Sequence, residues 1–415
     1  MGCSRRTFVR SALGAAGGLL TLAAVASCGT DDQATQEPAA AAPVVEAPAP
    51  DPAEVALASM TLEQKVAQLL VTTPEGLLGA VDAEASASDS YGVNGVVTVG
   101  KDLEQALLTY PVGGFCLFGA NIVGKNQTLR LLADLKSATV AAGARVAPLV
   151  CIDEEGGPLV ARIANSALFG VPDFPSMAKV GATGDVSQAR EVGQTIGTYL
   201  HDIGFTVDFA PVADVLTNPG NTVIGSRSFG SDPELVASMV KAEVEGFLPT
   251  GVACCVKHFP GHGDTEADSH VGMAVTTRTR EQMDACEFLP FRAAIEAGVP
   301  MVMVGHISTP KATGKDLPAT LSPEAIDGIL RQDLGFEGVV ISDAMSMAAI
   351  GQGFTSAQAA VAFLAAGGDV ILKPQDLAEA YQGILDAVAA GTLTEDRLDQ
   401  SVRRVLALKQ ALGLL

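Results

Sequence analysis

Short apolar runs recur along the chain, and amphipathic stretches separate most of them. The runs are QLLVTT (68–73), VGGFCLFG (112–119), APLVCID (147–153), FTVDFAPV (205–212), GVACCVKHF (251–259), VPMVMVGH (299–306), GVVISDA (338–344) and GGDVILK (367–373). Each is continuously apolar over most of its length. That is the pattern of strands buried on both faces of a parallel sheet. The intervening stretches, such as NQTLRLLADLKSATVAAG and TREQMDACEFLPFRAAIEAG, read as helices. Eight strands alternating with helices predict a (β/α)8 TIM barrel, a single catalytic domain over residues 53–415 with no second domain after it. A doubly wound open sheet is the alternative. MTLEQKVAQLL opens the pattern, with Thr61 and Gln64 spaced as a capping box. A second capping box, Thr392 with Glu395, is expected before the last helix. Asp82 to Leu108 is long for a connection between the first two strands, long enough to fold over the barrel mouth.

The ends add an address. Residues 1–28 read as a signal peptide, with Arg5-Arg6 in SRRTFVR as in twin-arginine export signals. The following Ala/Gly-rich run is too short and too weakly apolar for a stable membrane span. It ends Val25-Ala26-Ser27-Cys28, similar to a lipobox, so Cys28 is expected to carry a lipid and anchor the chain to the outer face of a cell membrane. Residues 29–52 form a Pro/Ala/acid tether with no aromatic residue, too polar to offset ordering by burial. The net charge of −21 argues against nucleic acid as a partner. Five cysteines lie beyond the signal, three of the apolar runs hold four of them, and buried thiols are expected rather than a disulfide framework. A monomer is expected.

The candidate chemistry gathers at the ends of the apolar runs: Asp153-Glu154-Glu155, Lys257-His258, Gly305-His306 and Ser342-Asp343. In a barrel these ends converge on one mouth. The stretch KHFPGHGDTEADSH (257–270) holds three of the five histidines. His258 and His262 have the i, i+4 spacing of a zinc-binding helix, but Pro260, Gly261 and Gly263 oppose a helix there, so neither a metal nor any other cofactor is expected. Asp268-Ser269-His270 places a carboxylate where it can orient an imidazole for proton transfer, although this spacing alone is weak evidence. Asp343, after GVVIS, suits a nucleophile, a hydroxyl ligand or a helix cap, and its position leaves all three open.

Taken together, CIDEEGG, IGSRSFGSDPE, KHFPGHGDTEADSH and ISDAMSM resemble glycoside hydrolase family 3, and within it the single-domain NagZ-type β-N-acetylglucosaminidases, here in an exported lipoprotein form. The resemblance runs from about Met60 to about Lys409. It implies a retaining exo-β-N-acetylglucosaminidase that releases terminal, non-reducing GlcNAc from cell-wall muropeptides or related glycans. It implies that Asp343 is the nucleophile, that His270 is the general acid/base with Asp268 as its partner, and that Asp153, Arg227, Lys257 and His258 hold the sugar. Glycosidases of this type generally use two carboxylates. Relatives with two domains take their acid from the second one, so a chain ending after the barrel is expected to find its acid in a barrel loop. A phosphorylase using the same site, and a sugar-binding lipoprotein without activity, are the alternatives. Asp208 and Asp214 are expected to act behind the site, and His262 and Asp264 to shape the loop. His306 suits packing as well as ligand contact. The family commonly has an Arg soon after the Gly pair; here Gly156-Gly157 lead to Pro158-Leu159-Val160-Ala161-Arg162, a departure that leaves the local register and any role of Arg162 open.

Overall fold

The computed structural model describes residues 51–81, 95–265 and 272–415. The signal with Cys28, the tether up to residue 50, residues 82–94, and residues 266–271 with Asp268 and His270 lie outside the described residues. Eight parallel strands form the centre: β1 (Leu70–Thr72), β2 (Gly114–Cys116), β3 (Leu149–Ile152), β4 (Val207–Asp208), β5 (Ala253–Phe259), β6 (Met301–Val304), β7 (Val339–Ser342) and β8 (Ile371–Leu372). Each falls inside one of the eight apolar runs. Neighbours in sequence pair in parallel from β1 to β7, and β8 pairs with β1. A parallel bridge between Ile341 and Val370 joins β7 to the start of β8 and closes the ring. The fold is therefore a (β/α)8 barrel, and the open-sheet alternative is set aside.

Local chemistry explains the helix starts. The Thr61–Gln64 capping box opens Leu62–Gln68. Asp185 and Asp232 cap Val186–Ile203 and Pro233–Phe247, with Pro233 at the first helical position, where a missing N–H costs nothing. Those two helices pack closely through glycines. A Cβ at Gly193 would lie 2.3 Å from the carbonyl oxygen of Glu243, and one at Gly246 would lie 2.2 Å from that of Arg190.

Two expectations change. The last helix, Glu395–Ala411, is capped by Thr394, not Thr392. The Thr392 hydroxyl is already engaged, donating back to the Ala387 carbonyl at the end of the preceding helix (3.1 Å). The stretch 279–298 forms two helices, Arg280–Asp284 and Phe288–Glu296, rather than one. Pro290 sits in the first turn of the second helix, where it is tolerated; inside one continuous helix it would clash with the preceding turn. Of the 82–108 connection, residues 82–94 lie outside the described residues, and Val96 and Val97 rest on the loop after β2, their carbonyls accepting from Asn121 Nδ2 (3.0 Å) and Gln127 Nε2 (2.8 Å). Lys101–Thr109 is a helix that buries Leu103, Ala106 and Leu107 beside Pro74–Val81 and belongs to the outer helical layer. The five described cysteines are all buried and unpaired, as expected of core thiols. No described helix is long and apolar enough to cross a membrane.

Candidate active site

The carboxyl ends of the strands open onto a cavity of about 210 Å³. Asp153 enters it directly after β3, Lys257 and His258 near the end of β5, and Asp343 directly after β7. Arg227 arrives on a short 3-10 turn, Gly225–Arg227, in the connection after β4. Five of the seven residues expected to form the site thus share one cavity. The other two, Asp268 and His270, lie outside the described residues.

A lattice of opposite charges builds the floor. Lys257 Nζ stands 2.7 Å from both Asp153 Oδ1 and Glu155 Oε1. Arg227 meets Glu155 through two parallel bonds, Nη2 to Oε1 at 2.6 Å and Nε to Oε2 at 2.7 Å. Paired charges with matched donors are the arrangement in which a nearly dry lysine stays protonated. Burial alone would lower the Lys257 ammonium, but Asp153 and Glu155 outweigh it and hold it above its ordinary range. Burial likewise opposes ionisation of Asp153, and Lys257 and then Arg162 overcome it, leaving the carboxyl well below its usual range.

Glu155 was not singled out from the sequence, yet it holds both cations. Strand alternation carried the signal, because residues i and i+2 face the same way. Asp153 and Glu155 both line the cavity, while Glu154 between them turns away and accepts from Ile163 N (2.7 Å), Ala164 N (2.9 Å) and the Tyr199 hydroxyl (2.7 Å). The place of Arg162 is now defined. Glu154–Gly156 and Val160–Ala161 form a small antiparallel ribbon. Gly156 and Gly157 turn it with φ of 77° and 74°, a left-handed geometry that favours glycine. The ribbon brings Arg162 Nη2 to 3.1 Å from Asp153 Oδ2, with the guanidinium 4.7 Å from the centre of the Phe118 ring. Lys373 Nζ stands 4.9 Å from the same ring centre. Phe118, Arg162 and Lys373 therefore complete one wall.

Behind the cavity, Asp214 is fully buried and joins two histidines. Its Oδ2 lies 2.7 Å from His258 Nδ1, and its Oδ1 accepts from His262 N at 2.6 Å. A carboxylate accepts only, so His258 carries its proton on Nδ1 toward Asp214. The expectation that Asp214 works from behind the site agrees with this position. Asp208 is buried too and accepts from Glu154 N (2.9 Å). His262 lines the cavity as well as shaping the loop. His306 is a packing residue: fully buried, with Nε2 2.9 Å from the Ala344 carbonyl and Nδ1 2.9 Å from the Thr320 hydroxyl. It supports the backbone just after Asp343.

Asp343 itself accepts from Ala344 N at 2.7 Å. Burial would raise its carboxyl, but His258, then His306, the Ala344 N–H and Lys257 outweigh that and hold it below the ordinary range. The group is ionised at neutral pH, as a carboxylate nucleophile needs to be. Among the described residues, no group of three or more His, Cys, Asp or Glu is arranged to hold a metal ion.

The comparisons with known proteins agree with this geometry. Residues 61–408 match the glycosyl hydrolase family 3 N-terminal domain. The chain is 35% identical over 360 residues to β-hexosaminidase LpqI of Mycobacterium tuberculosis, covering 85% of this chain and 84% of that protein. It is 34% identical over 341 residues to β-hexosaminidase A of Pseudoalteromonas piscicida, covering 76% of this chain but 56% of that longer protein. The structure of a family 3 β-N-acetylglucosaminidase from Paenibacillus superposes with a TM-score of 0.76 at 39% identity, covering 86% of this chain and 63% of that one. The chain belongs to glycosyl hydrolase family 3.

Proposed function

We propose that the protein is a retaining exo-β-N-acetylglucosaminidase that removes terminal, non-reducing β-linked GlcNAc from cell-wall muropeptides or related glycans. The observation that carries this reading is the placement of an ionised Asp343 in one cavity with the Asp153–Lys257–Glu155–Arg227 lattice. The names of the mycobacterial and Pseudoalteromonas relatives support it.

In the first step an Asp343 oxygen attacks the anomeric carbon. The glycosidic C–O bond breaks, its electron pair goes to the leaving oxygen, and His270 supplies that oxygen with a proton. In the second step a water gives its proton to neutral His270 and attacks the same carbon, and the bond to Asp343 breaks. Two displacements at one carbon retain its configuration. Asp268 orients the His270 ring. Asp153, Arg227, Lys257 and His258, with Arg162, hold the sugar through their fixed donors and acceptors. Such groups cost no reorganisation when charge develops on the ring.

The test is hydrolysis of aryl β-N-acetylglucosaminides by wild type, Asp343→Ala and His270→Ala. Asp343→Ala is expected to lose nearly all activity. His270→Ala is expected to lose most activity on poor leaving groups and less on acidic ones, which need little protonation. Equal activity in all three proteins would sink the assignment. Release of free GlcNAc at a rate indifferent to added phosphate excludes phosphorolysis.

We also propose export through the twin-arginine signal and anchoring by lipid at Cys28, supported by SRRTFVR and the small residues before that cysteine. Replacing Cys28 with Ala should move the protein from the membrane to the soluble fraction. Unchanged membrane association would refute the anchor.

A further inference from the structure

Arg162 owes its place in the cavity wall to the main chain more than to its own side chain. Its Nη2 reaches Asp153 and its guanidinium faces the Phe118 ring, while its Nε is buried with no hydrogen-bond partner among the described residues. It stands directly after Val160–Ala161, the returning half of the small ribbon. One residue fixes the backbone on both sides of it. Glu154 pairs with Ala161 across the ribbon, and its carboxylate accepts from Ile163 N at Oε2 (2.7 Å) and from Ala164 N at Oε1 (2.9 Å). The residue before Arg162 and the two after it are therefore all held by Glu154. Asp153, which Arg162 grips, directly precedes Glu154 in the chain. The middle acid of the three thus sets the register between the first acid and the arginine.

Glu154 is itself seated from behind. It is fully buried, and the Tyr199 hydroxyl, on the last turn of Val186–Ile203, donates to its Oε1 at 2.7 Å. Its own N–H donates to Asp208 Oδ1, at the end of β4, at 2.9 Å. The helix that carries Tyr199 is closely packed. A Cβ at Gly197 would lie 2.4 Å from Thr250 Oγ1. The ribbon rests on the same helix, since a Cβ at Gly156 would lie 3.5 Å from Ile196 Cδ1. Two backbone N–H groups and one hydroxyl thus converge on two oxygens that, in a carboxylate, only accept. Losing an acceptor there would leave a backbone donor unsatisfied.

We propose that Glu154, seated by the Tyr199 hydroxyl, is a positioning residue for Arg162: it sets where the guanidinium stands over Asp153, and so the grip of both on the sugar. The inference rests on the reading of Arg162 as a sugar-holding group. Glu154 does not line the cavity, so its effect on the reaction has to pass through residues that do. A misplacement of about 1 Å in a group that holds substrate can cost about a hundredfold.

The experiment is a double-mutant cycle on kcat/KM for an aryl β-N-acetylglucosaminide. Glu154→Gln keeps the size of the side chain. Whichever way its amide turns, either the Ile163 or the Ala164 N–H then faces another donor. Glu154→Gln is expected to lose about tenfold to a hundredfold when Arg162 is present, and less than about twofold in the Arg162→Ala background. Inhibition by free GlcNAc reads the grip on the sugar without the chemical step and should weaken in parallel. Tyr199→Phe removes one hydroxyl donor only. It should show the same dependence on Arg162 with a smaller loss, and it serves if Glu154→Gln does not fold. Equal fold-losses in the two backgrounds overturn the proposal, because a residue that only supports the barrel costs the same with or without Arg162. No loss in either background overturns it as well. Arg162→Ala separates the two levels. If it lowers kcat/KM and weakens GlcNAc inhibition while the cycle is additive, the positioning role alone is wrong. If Arg162→Ala changes neither, the reading of Arg162 as a sugar-holding group fails and the positioning role fails with it.

Discussion

Asp214 shows how one residue outside the substrate cavity sets the state of those inside it. It is fully buried, so its charge depends on its partners. Burial would raise its carboxyl, and His258 and His262 outweigh that and hold it below the usual range. In return it fixes the His258 proton on Nδ1 and leaves Nε2 as the other ring nitrogen. Asp214→Asn keeps the shape and removes the charge. The amide can present an N–H to His258 Nδ1, which favours the wrong tautomer. We expect kcat/KM on an aryl glycoside to fall by about tenfold to a hundredfold, with the thermal unfolding midpoint changed far less than by a core deletion. Unchanged kcat/KM would show that the His258 ring needs no such partner.

At the scale of elements, the strands were legible because their continuous apolar runs have one reading once helices separate them. All eight lie inside the runs that predicted them. Boundaries were less legible where one residue type serves two ends. Thr392 and Thr394 both precede a helix, and only the three-dimensional claim of Ala387 on Thr392 decides between them. In the site, Asp153, Lys257, His258 and Asp343 were legible from their places at strand ends. Glu155 was hidden among three consecutive acids, and Arg162 depended on the register of a two-strand ribbon. Phe118 and Lys373 gave no chemical signal, because an aromatic and a lysine past a strand end are ordinary. The contact between Val186–Ile203 and Pro233–Phe247 was also silent, since it rests on backbone proximity. A Cβ at Gly246 would meet backbone, not a flexible side chain. Gly246→Ala is therefore expected to cost about 1–3 kcal/mol in urea denaturation. Gly353→Ala, where an added Cβ meets nothing within 4 Å, should stay within about 0.5 kcal/mol. Similar values for the two would mean that the helices move apart at little cost.

At the scale of the molecule, barrel closure brings together segments far apart in sequence, and the last helix secures that closure. Ser401 and Arg404 of Glu395–Ala411 reach Asp369, just ahead of β8, at 2.7 and 3.0 Å. Lys409 crosses to the start of the barrel. Its Nζ donates to Gln68 Oε1 at 2.6 Å and to the Gly113 carbonyl at 2.9 Å, beside β1 and β2. Neither partner is charged, and Lys409 is fully buried. Burial pushes its pKa down to about 7, so the folded barrel holds a neutral amine that still donates two hydrogen bonds. The unfolded chain keeps an ordinary lysine. Between about pH 7 and pH 10 the unfolded state thus binds one more proton than the folded state, and stability rises with pH across that window. Below about pH 7 both states are protonated and this contribution no longer changes with pH. Lys409→Met removes the titration but also orphans two acceptors, which adds an offset independent of pH. The measurable quantity is the difference between the unfolding free energies of wild type and Lys409→Met. It should shift in favour of wild type as pH rises from about 7 to about 10 and be flat below. A difference flat across the whole range would mean that Lys409 stays charged in the folded protein, with its burial compensated by the Gln68 and Gly113 oxygens.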